Sequence, residues 1–454
     1  MGGRKKKPLL FGGILYLFTK NKLTSHPEET TNSMKRQLLM NFLKIVLPVF
    51  KGKKTTEETN PLQKKSGYEA LDEWVDAVMK LHEAQDTCFG YPCNQDIHLM
   101  SFYAWFVGSG LQELTLNNAG DPFSDEPAFV MSTQKFEREV MEWFAPYYDF
   151  EPDKYWGLVT MSGTDGNSHG IYFGTTSLKR KTGKLPVVYV SDEAHYSNYR
   201  LTYLQNLDVR LVKTGVDGCM IPEELEKVLD PSRPCLMVYA MGSTFKGAVD
   251  NQKALNAVLE KYPEMEVYRH VDAALFGGYL PFTEYRKMVS HKELGYDSIS
   301  ISGHKFFSIN SPSGLFFCTR EVYDNQQDIS VPYLNNNMRM INCSRSGIDP
   351  LKFWWFIQKI GHQGWSKEAN TILERSDYLE AELKRIGWFV LRNQLSNTVV
   401  LKRPSERICK KYMLATGYDE KLGGNLAHVV VMQHVRRKYL AQFIEELQQE
   451  SGEK

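Results

Sequence analysis

Short apolar runs alternate with amphipathic segments between residues 157 and 320. We predict strands at seven of these runs: Gly157–Thr160, Val187–Val190, Val209–Val212, Cys235–Tyr239, Val267–Val271, Ser298–Ile301 and Leu315–Cys318. Helical spacing of apolar residues lies between them, at Asn167–Arg180, Pro222–Leu229 and Gln252–Lys261. Strands that alternate with helices predict an α/β fold, a mostly parallel seven-stranded sheet with helices on both faces. In such a sheet the functional site lies at the carboxyl ends of the strands.

Longer helical patterns flank this region. Two precede it, at Tyr68–Ala84 and Ser132–Phe144. After Asp349 the pattern predicts the helices Leu351–His362 and Ser366–Ile386, a strand pair near Thr398–Leu401 and His428–Met432, and a final helix at Arg436–Gln449. We therefore predict three parts: a basic arm and linker over residues 1–66, a large domain over 67–325 and a smaller α+β domain over 326–454.

The charge of the chain is concentrated at its beginning. The formal net charge is +1, yet residues 1–54 hold twelve basic and two acidic residues, so the remainder is acidic. An acidic body argues against nucleic acid as a partner. Two apolar runs with basic flanks, Leu9–Phe18 and Gln37–Phe50, predict contact of this arm with a membrane surface. The alternative is that both runs pack on the body or on a second subunit.

The length and the cysteines set further limits. A chain of 454 residues with 42% hydrophobic residues is long enough for two domains with large cores. The seven cysteines show no metal-ligand spacing and are odd in number. This pattern predicts reduced thiols, a cytoplasmic location and no metal site.

Two ionisable residues follow neighbouring strands and suit one chemistry. Asp272 ends the strand Val267–Val271, and Lys305 comes after Ser298–Ile301. A lysine in a dry cleft is a nucleophile toward aldehydes, and an aspartate can keep a pyridine nitrogen protonated, so the pair predicts a pyridoxal 5'-phosphate (PLP) enzyme. Taken singly, Lys305 could be a solvated surface lysine and Asp272 a helix cap.

Three more loops at strand ends carry suitable groups. Met161–Asn167 offers hydroxyls and glycines at a helix start, which favours a phosphate, although an ordinary capped turn has the same residues. His195 can lie flat on a ring or serve as a structural hydrogen-bonding residue. Thr244 places a hydroxyl after a further strand.

Five segments are similar to the signature series of the group II PLP-dependent amino-acid decarboxylases: Ser162-Gly-Thr-Asp-Gly-Asn-Ser-His-Gly, Glu193-Ala-His-Tyr-Ser, Gly242-Ser-Thr-Phe-Lys-Gly-Ala-Val-Asp, His270-Val-Asp-Ala-Ala-Leu and Ser302-Gly-His-Lys-Phe. The resemblance covers roughly residues 68–446. It is strongest to the branch that holds histidine decarboxylases and the plant serine decarboxylases. It implies a fold of the aminotransferase-like type (fold type I) and homodimers with the active site near the subunit interface.

The resemblance also implies roles for individual residues. Lys305 would form the Schiff base, Asp272 would hold the pyridine nitrogen, and His195 would stack on the ring. The remaining residues would surround the cofactor: Ser162, Gly163, Thr164, Ser302 and His304 at the phosphate, Thr244 at the ring hydroxyl and Ala274 beneath the ring.

The implied reaction is decarboxylation of an L-amino acid, with histidine favoured as the substrate and serine or an aromatic amino acid as alternatives. Departures from the family pattern concern the residues expected to face the substrate: Met161-Ser162, Ser308–Ser313, Ser344–Pro350 and an insertion at Gly417–Gly424. Two further alternatives stay open. One is aldehyde-forming or carbon–carbon lyase chemistry on the same scaffold. The other is a cofactor-free scaffold that the basic arm holds at a membrane.

Overall fold

The computed structural model describes residues 67–332 and 336–452. The basic arm, its two apolar runs and the predicted membrane contact lie outside these residues and stay predictions. Within the part of the chain that is described, no helix combines the length and the apolar character needed to span a bilayer. The helix Gly67–Gln85 belongs, as far as Ala84, to one compact unit, and the chain from Gln85 onwards forms a second.

Fifteen strands and thirteen α-helices are present in the described residues. The strands are β1 Asn117–Ala119, β2 Tyr155–Thr160, β3 Val187–Ser191, β4 Asp208–Val212, β5 Cys235–Ala240, β6 Val267–Asp272, β7 Ser298–Ser302, β8 Gly314–Thr319, β9 Ile329–Val331, β10 Asn336–Met338, β11 Ser344–Ser346, β12 Val390–Leu391, β13 Thr398–Lys402, β14 Ala415–Asp419 and β15 Gly424–Val430. The helices are α1 Gly67–Gln85, α2 Met100–Gly108, α3 Gln134–Phe144, α4 Gly163–Thr182, α5 Tyr196–Leu204, α6 Pro222–Val228, α7 Gln252–Leu259, α8 His291–Leu294, α9 Arg320–Asp324, α10 Ile348–Lys359, α11 Gly361–Arg385, α12 Glu406–Lys411 and α13 Arg437–Gly452.

A seven-stranded sheet in the order β2-β8-β7-β6-β5-β3-β4 forms the centre of the second unit. Strands β4, β3, β5, β6 and β7 run parallel, whereas β8 pairs antiparallel with both β7 and β2. Nearly every residue of β2, β3, β5 and β7 is buried, as expected for a sheet with both faces covered. The predicted α/β class and the seven predicted strands are confirmed.

Helix α4 lies directly on β6 and β7 because its glycines leave room for the strand side chains. A Cβ at Gly170 would lie 2.2 Å from Nδ1 of His270, closer than any real contact. The same helix therefore brings its first turn to the carboxyl ends of β6 and β7, which is where the predicted site lies.

The C-terminal part carries a second sheet, antiparallel and four-stranded, in the order β12-β13-β15-β14. Helix α11 contacts β12 and β13 of this sheet, and α13 packs against α11; both helices bury apolar residues such as Leu379, Leu440 and Phe443. The smaller α+β domain is thus present, while its predicted boundary at residue 326 stays a prediction. The insertion predicted at Gly417–Gly424 is the end of a hairpin, since β14 pairs with β15 from Ala415↔His428 to Asp419↔Gly424.

Candidate functional site

A cavity of about 270 Å³ opens at the carboxyl ends of the central strands. All ten residues predicted from the sequence line it: Ser162, Gly163, Thr164, His195, Thr244, Asp272, Ala274, Ser302, His304 and Lys305. They come from five different loops, and the parallel course of β3, β5, β6 and β7 brings these loops to one edge. The structure therefore assembles the predicted constellation, while the role of each residue stays a prediction.

The first turn of α4 forms one end of the cavity. Ser162 is the N-cap residue, and its hydroxyl accepts a hydrogen bond of 3.1 Å from the backbone N–H of Asp165. The Asp165 carboxylate in turn accepts the N–H of Met161 at 2.9 Å. The capped turn named above as an alternative is thus present, and it leaves backbone N–H groups of a long helix directed at the cavity. A helix start of this kind favours an anion such as a phosphate.

Gly163 is required by how closely this turn approaches β7. A Cβ at Gly163 would lie 2.3 Å from the Ser302 hydroxyl oxygen and 3.3 Å from the Ala274 Cβ. All three residues line the cavity, so any displacement here changes the shape of its anion-binding end.

We expect Gly163→Ala to weaken PLP binding by about ten-fold or more, because the added methyl pushes the helix start away from Ser302. Equilibrium titration of the apoenzyme with PLP measures the effect. Gly108→Ala is the matched control, since a Cβ at Gly108 in helix α2 has no heavy atom within 4 Å. Equal affinities of the two variants would contradict a close fit at Gly163.

Asp272 is held by amide donors rather than by a helix start. The side-chain N–H groups of Asn167 and Asn198 donate to its Oδ2 at 2.8 and 3.1 Å. The backbone N–H of Ala274 lies 3.3 Å from Oδ1. Both asparagines are 2% exposed, so the carboxylate is oriented by two donors that are themselves immobilised. The interpretation of Asp272 as a helix cap is not supported, because the next helical turn is capped at Leu275.

A buried polar chain continues behind Asn167. Its Oδ1 lies 3.1 Å from Nε2 of His270, whose Nδ1 lies 2.8 Å from the Ser298 hydroxyl. The Tyr268 hydroxyl donates to the same Ser298 oxygen at 2.8 Å. Burial lowers the pKa of His270 to about 4, so the ring is neutral near pH 7. The Nε2–H of the neutral His270 ring donates to Oδ1 of Asn167. This hydrogen bond directs the side-chain N–H of Asn167 toward Asp272.

His195 is the N-cap residue of α5. Its Nδ1 accepts the backbone N–H of Ser197 at 3.3 Å and lies 2.7 Å from the Ser197 hydroxyl. Because a backbone N–H can only donate, Nδ1 is the acceptor and the proton of the neutral ring is on Nε2. Burial lowers the pKa of His195, which favours this neutral form. An uncharged flat ring beside Asp272 and Lys305 is suited to stacking.

Lys305 lines the cavity and is partly buried, so the surface-lysine interpretation is not supported. Removal from water lowers the pKa of its amine, against an opposing effect of the Asp272 carboxylate. A lowered pKa leaves a larger fraction of the amine free to attack a carbonyl.

The other predicted residues lie around this centre. Ser302 ends β7 and is buried, whereas Thr244 lies at the exposed edge of the cavity after β5. His304 is held with Nδ1 3.2 Å from the Ser313 carbonyl oxygen. The seven cysteines are all free, and no cluster of metal-ligating side chains exists among the described residues.

Two residues were missed by the sequence analysis, Asn167 and Asn198. Asn167 lies within the motif that begins at Ser162, four residues after the first residue of helix α4, and its position in the motif was the available signal. Asn198 carries no comparable signal, because its contact with Asp272 joins residues 74 positions apart.

The residues present fit PLP. The lining of the cavity includes an anion-binding helix start, a carboxylate whose orientation is fixed, and one amine. Asp272 would hold the pyridine nitrogen, Lys305 would bind the cofactor carbonyl and the start of α4 would hold the phosphate. PLP, when bound, supplies an electrophilic carbonyl and a ring that accepts electrons.

Comparisons with known proteins support PLP as the cofactor. Residues 176–402 match the family model described as the pyridoxal-dependent decarboxylase conserved domain. Serine decarboxylase 2 of Oryza sativa subsp. japonica is 34% identical over 395 residues, which cover 86% of this chain and 80% of that protein. Histidine decarboxylase of Solanum lycopersicum is 31% identical over 401 residues, covering 87% and 92%.

Solved structures show the same fold. L-Methionine decarboxylase from Streptomyces sp. 590 superposes with a TM-score of 0.71 at 20% identity, covering 87% of this chain and 98% of that one. The aminotransferase-like fold type predicted above is confirmed.

Proposed function

We propose a substrate for this chain, which belongs to the family of pyridoxal-dependent decarboxylases. It removes the carboxylate of an L-amino acid whose side chain is polar and neutral, and histidine is the favoured substrate. As a family member it is a lyase, a PLP-dependent amino-acid decarboxylase that releases an amine and carbon dioxide. The scaffold without a cofactor is therefore set aside.

The charges of the residues that line the cavity favour a substrate with a neutral side chain. Among the described residues that line the cavity, Asp272 is the one carboxylate and Lys305 the one amine. Both are assigned to the cofactor, so the described lining of the cavity offers no further fixed charge for a glutamate or a lysine side chain. Burial lowers the pKa of both lining histidines, His195 and His304, and leaves them largely neutral.

Histidine and serine are the two candidates that the comparisons favour. The tomato relative, a histidine decarboxylase, is matched over 92% of its length, and an imidazole side chain is mostly neutral at pH 7. The rice relative at slightly higher identity is a serine decarboxylase, which makes serine the second candidate.

The geometry of the cavity supports the roles that we propose for this chain's own side chains. Lys305 would release the cofactor carbonyl to the substrate amine and stay nearby as a base. Asp272, oriented by Asn167 and Asn198, would keep a proton on the pyridine nitrogen, which favours the electron uptake that carboxylate loss requires. His195 would press on one face of the ring and keep its plane fixed.

Carbon dioxide release from a panel of amino acids tests the substrate. The purified full-length chain, saturated with PLP, is offered histidine, serine, the aromatic amino acids, glutamate and lysine. We expect release from histidine with histamine as the product, and release from serine alone would establish the second candidate. Activity confined to glutamate or lysine would contradict the argument from the charges that line the cavity.

Identification of the product as an amine or an aldehyde tests the aldehyde-forming alternative. Cleavage of the substrate without release of carbon dioxide tests the lyase alternative.

A homodimer is the assembly that we propose. Helix α5 begins at the cavity with His195, and three of its large side chains are exposed: Tyr196 by 62%, Tyr203 by 84% and Leu204 by 72%. An apolar surface beside the site supports an interface between two copies there.

A further inference from the structure

The hairpin formed by β14 and β15 contacts the loops of the cavity through a group of charged side chains. Asp419, at the end of β14, lies with Oδ2 2.6 Å from Nζ of Lys246. Lys421, in the turn, lies 3.1 Å from Oε1 of Glu193 and 3.5 Å from Oδ2 of Asp192. We call these five residues the ion cluster. Two of its residues, Asp419 and Lys421, belong to the insertion that departs from the family pattern, and the proposed reaction does not use the ion cluster.

Lys246 is the centre of the ion cluster. Its side chain is 1% exposed, and its amine also lies 2.7 Å from Oε1 of Glu193. Burial alone would lower the pKa of this amine, but hydrogen bonds to Asp419 and Glu193 raise it above the ordinary value. The cation is therefore charged and depends on both carboxylates for compensation.

The two cavity loops meet in this cluster. Asp192 and Glu193 belong to the loop that follows β3 and leads to His195 two residues later. Lys246 belongs to the loop after β5, two residues beyond Thr244. Asp192 is held in addition by the Thr214 hydroxyl, which donates to its Oδ1 at 2.7 Å. The amine of Lys246 thus joins the loop of His195 to the loop of Thr244.

The C-terminal part also holds the backbone around Lys246. The carbonyl oxygen of Phe245 lies 2.8 Å from Nδ1 of His428, and the two rings are 4.8 Å apart. The side chain of Asn393 donates to the carbonyl oxygen of Lys246 at 3.0 Å. Backbone and side chain of this loop are therefore both fixed by contacts from the C-terminal part.

We propose that Asp419 and Lys246 are positioning residues, through which the β14–β15 hairpin holds the loops of His195 and Thr244 at a fixed spacing around the PLP ring. The inference rests on the proposed function in that it takes His195 as the stacking residue. Neither Asp419 nor Lys246 is among the residues that line the cavity, so both would act through the loops of His195 and Thr244, which do line it.

The test compares Asp419→Asn with Glu420→Gln, which removes the same charge one residue further along the turn. Glu420 is exposed and lies outside the ion cluster. We expect Asp419→Asn to weaken PLP binding by about ten-fold and to reduce the visible circular dichroism of the bound cofactor, which reports how the ring is held. Glu420→Gln should leave both unchanged. Lys246→Met should have a larger effect, and Lys246→Arg should restore part of it.

The double variant that combines Asp419→Asn with His195→Ala tests whether the ion cluster acts through His195 or only stabilises the fold. If Asp419 acts through the loop of His195, Asp419→Asn should weaken PLP binding little further in a chain that already carries His195→Ala, because the stacking ring is then absent. Effects that simply add, or a wild-type dichroism signal in Asp419→Asn, would overturn the proposal. Cofactor titration needs no substrate, so failure of the proposed substrate would appear separately, as absence of carbon dioxide release from histidine and serine.

Discussion

Replacing Lys305 by alanine is expected to reduce decarboxylation by about 10⁴-fold or more, the scale of losing a residue that bonds covalently in the reaction. Lys305 is the one amine among the described residues that line the cavity, so no neighbour can take its place. The visible absorbance near ~400 nm, which reports covalent attachment of the cofactor, should disappear as well.

Two control variants distinguish the loss of the covalent bond from the loss of a positive charge and from a folding defect. Lys305→Arg keeps a positive charge, but a guanidinium stays protonated and cannot bond to the carbonyl, so it should be as inactive as alanine. Lys402→Ala removes an exposed amine at the end of β13 and should keep full activity. Turnover in Lys305→Arg comparable to the wild type would rule out a covalent role for this lysine.

Asp272→Asn is the second large effect that we expect, a decrease in kcat of about 10²- to 10³-fold. An amide carries no charge to hold a proton on the pyridine nitrogen, so the ring accepts electrons less readily. The new amide N–H₂ would also face the donors of Asn167 and Asn198, now 2.8 and 3.1 Å from Oδ2.

Steady-state rates with the substrate identified from the panel measure this effect. Asn198→Ala provides a graded comparison, because it keeps the carboxylate and removes one of its two side-chain donors. Its rate should fall far less than that of Asp272→Asn. Near-normal turnover of Asp272→Asn would refute the assignment of Asp272 to the pyridine nitrogen.

Much of the fold was predictable because its signals are local. The period of apolar residues located all seven strands of the central sheet, and the observed ends differ from the predicted ends by at most two residues, for example Tyr155–Thr160 against the predicted Gly157–Thr160. The order of strands in the sheet was not predicted, since pairing depends on distant partners. Strand β8 lies between β7 and β2, and β2 precedes it by more than 150 residues.

The candidate site was predictable for a related reason. Parallel strands end at one edge of a sheet, so residues that follow strands in the sequence, such as His195, Asp272 and Lys305, meet without further information. The motifs that include them also carry the family resemblance, which the matched relatives confirm.

The sequence by itself thus determined the fold class, the family, the cofactor and ten of the residues that line the cavity, because each depends on local pattern or motif. Only the tertiary structure decided how they are held. The donors to Asp272, the buried chain through His270 and the ion pairs of Lys421 with Asp192, 229 positions away, join distant parts of the chain. Such contacts are selected by packing and burial, in which every element takes part, and no spacing along the chain encodes them.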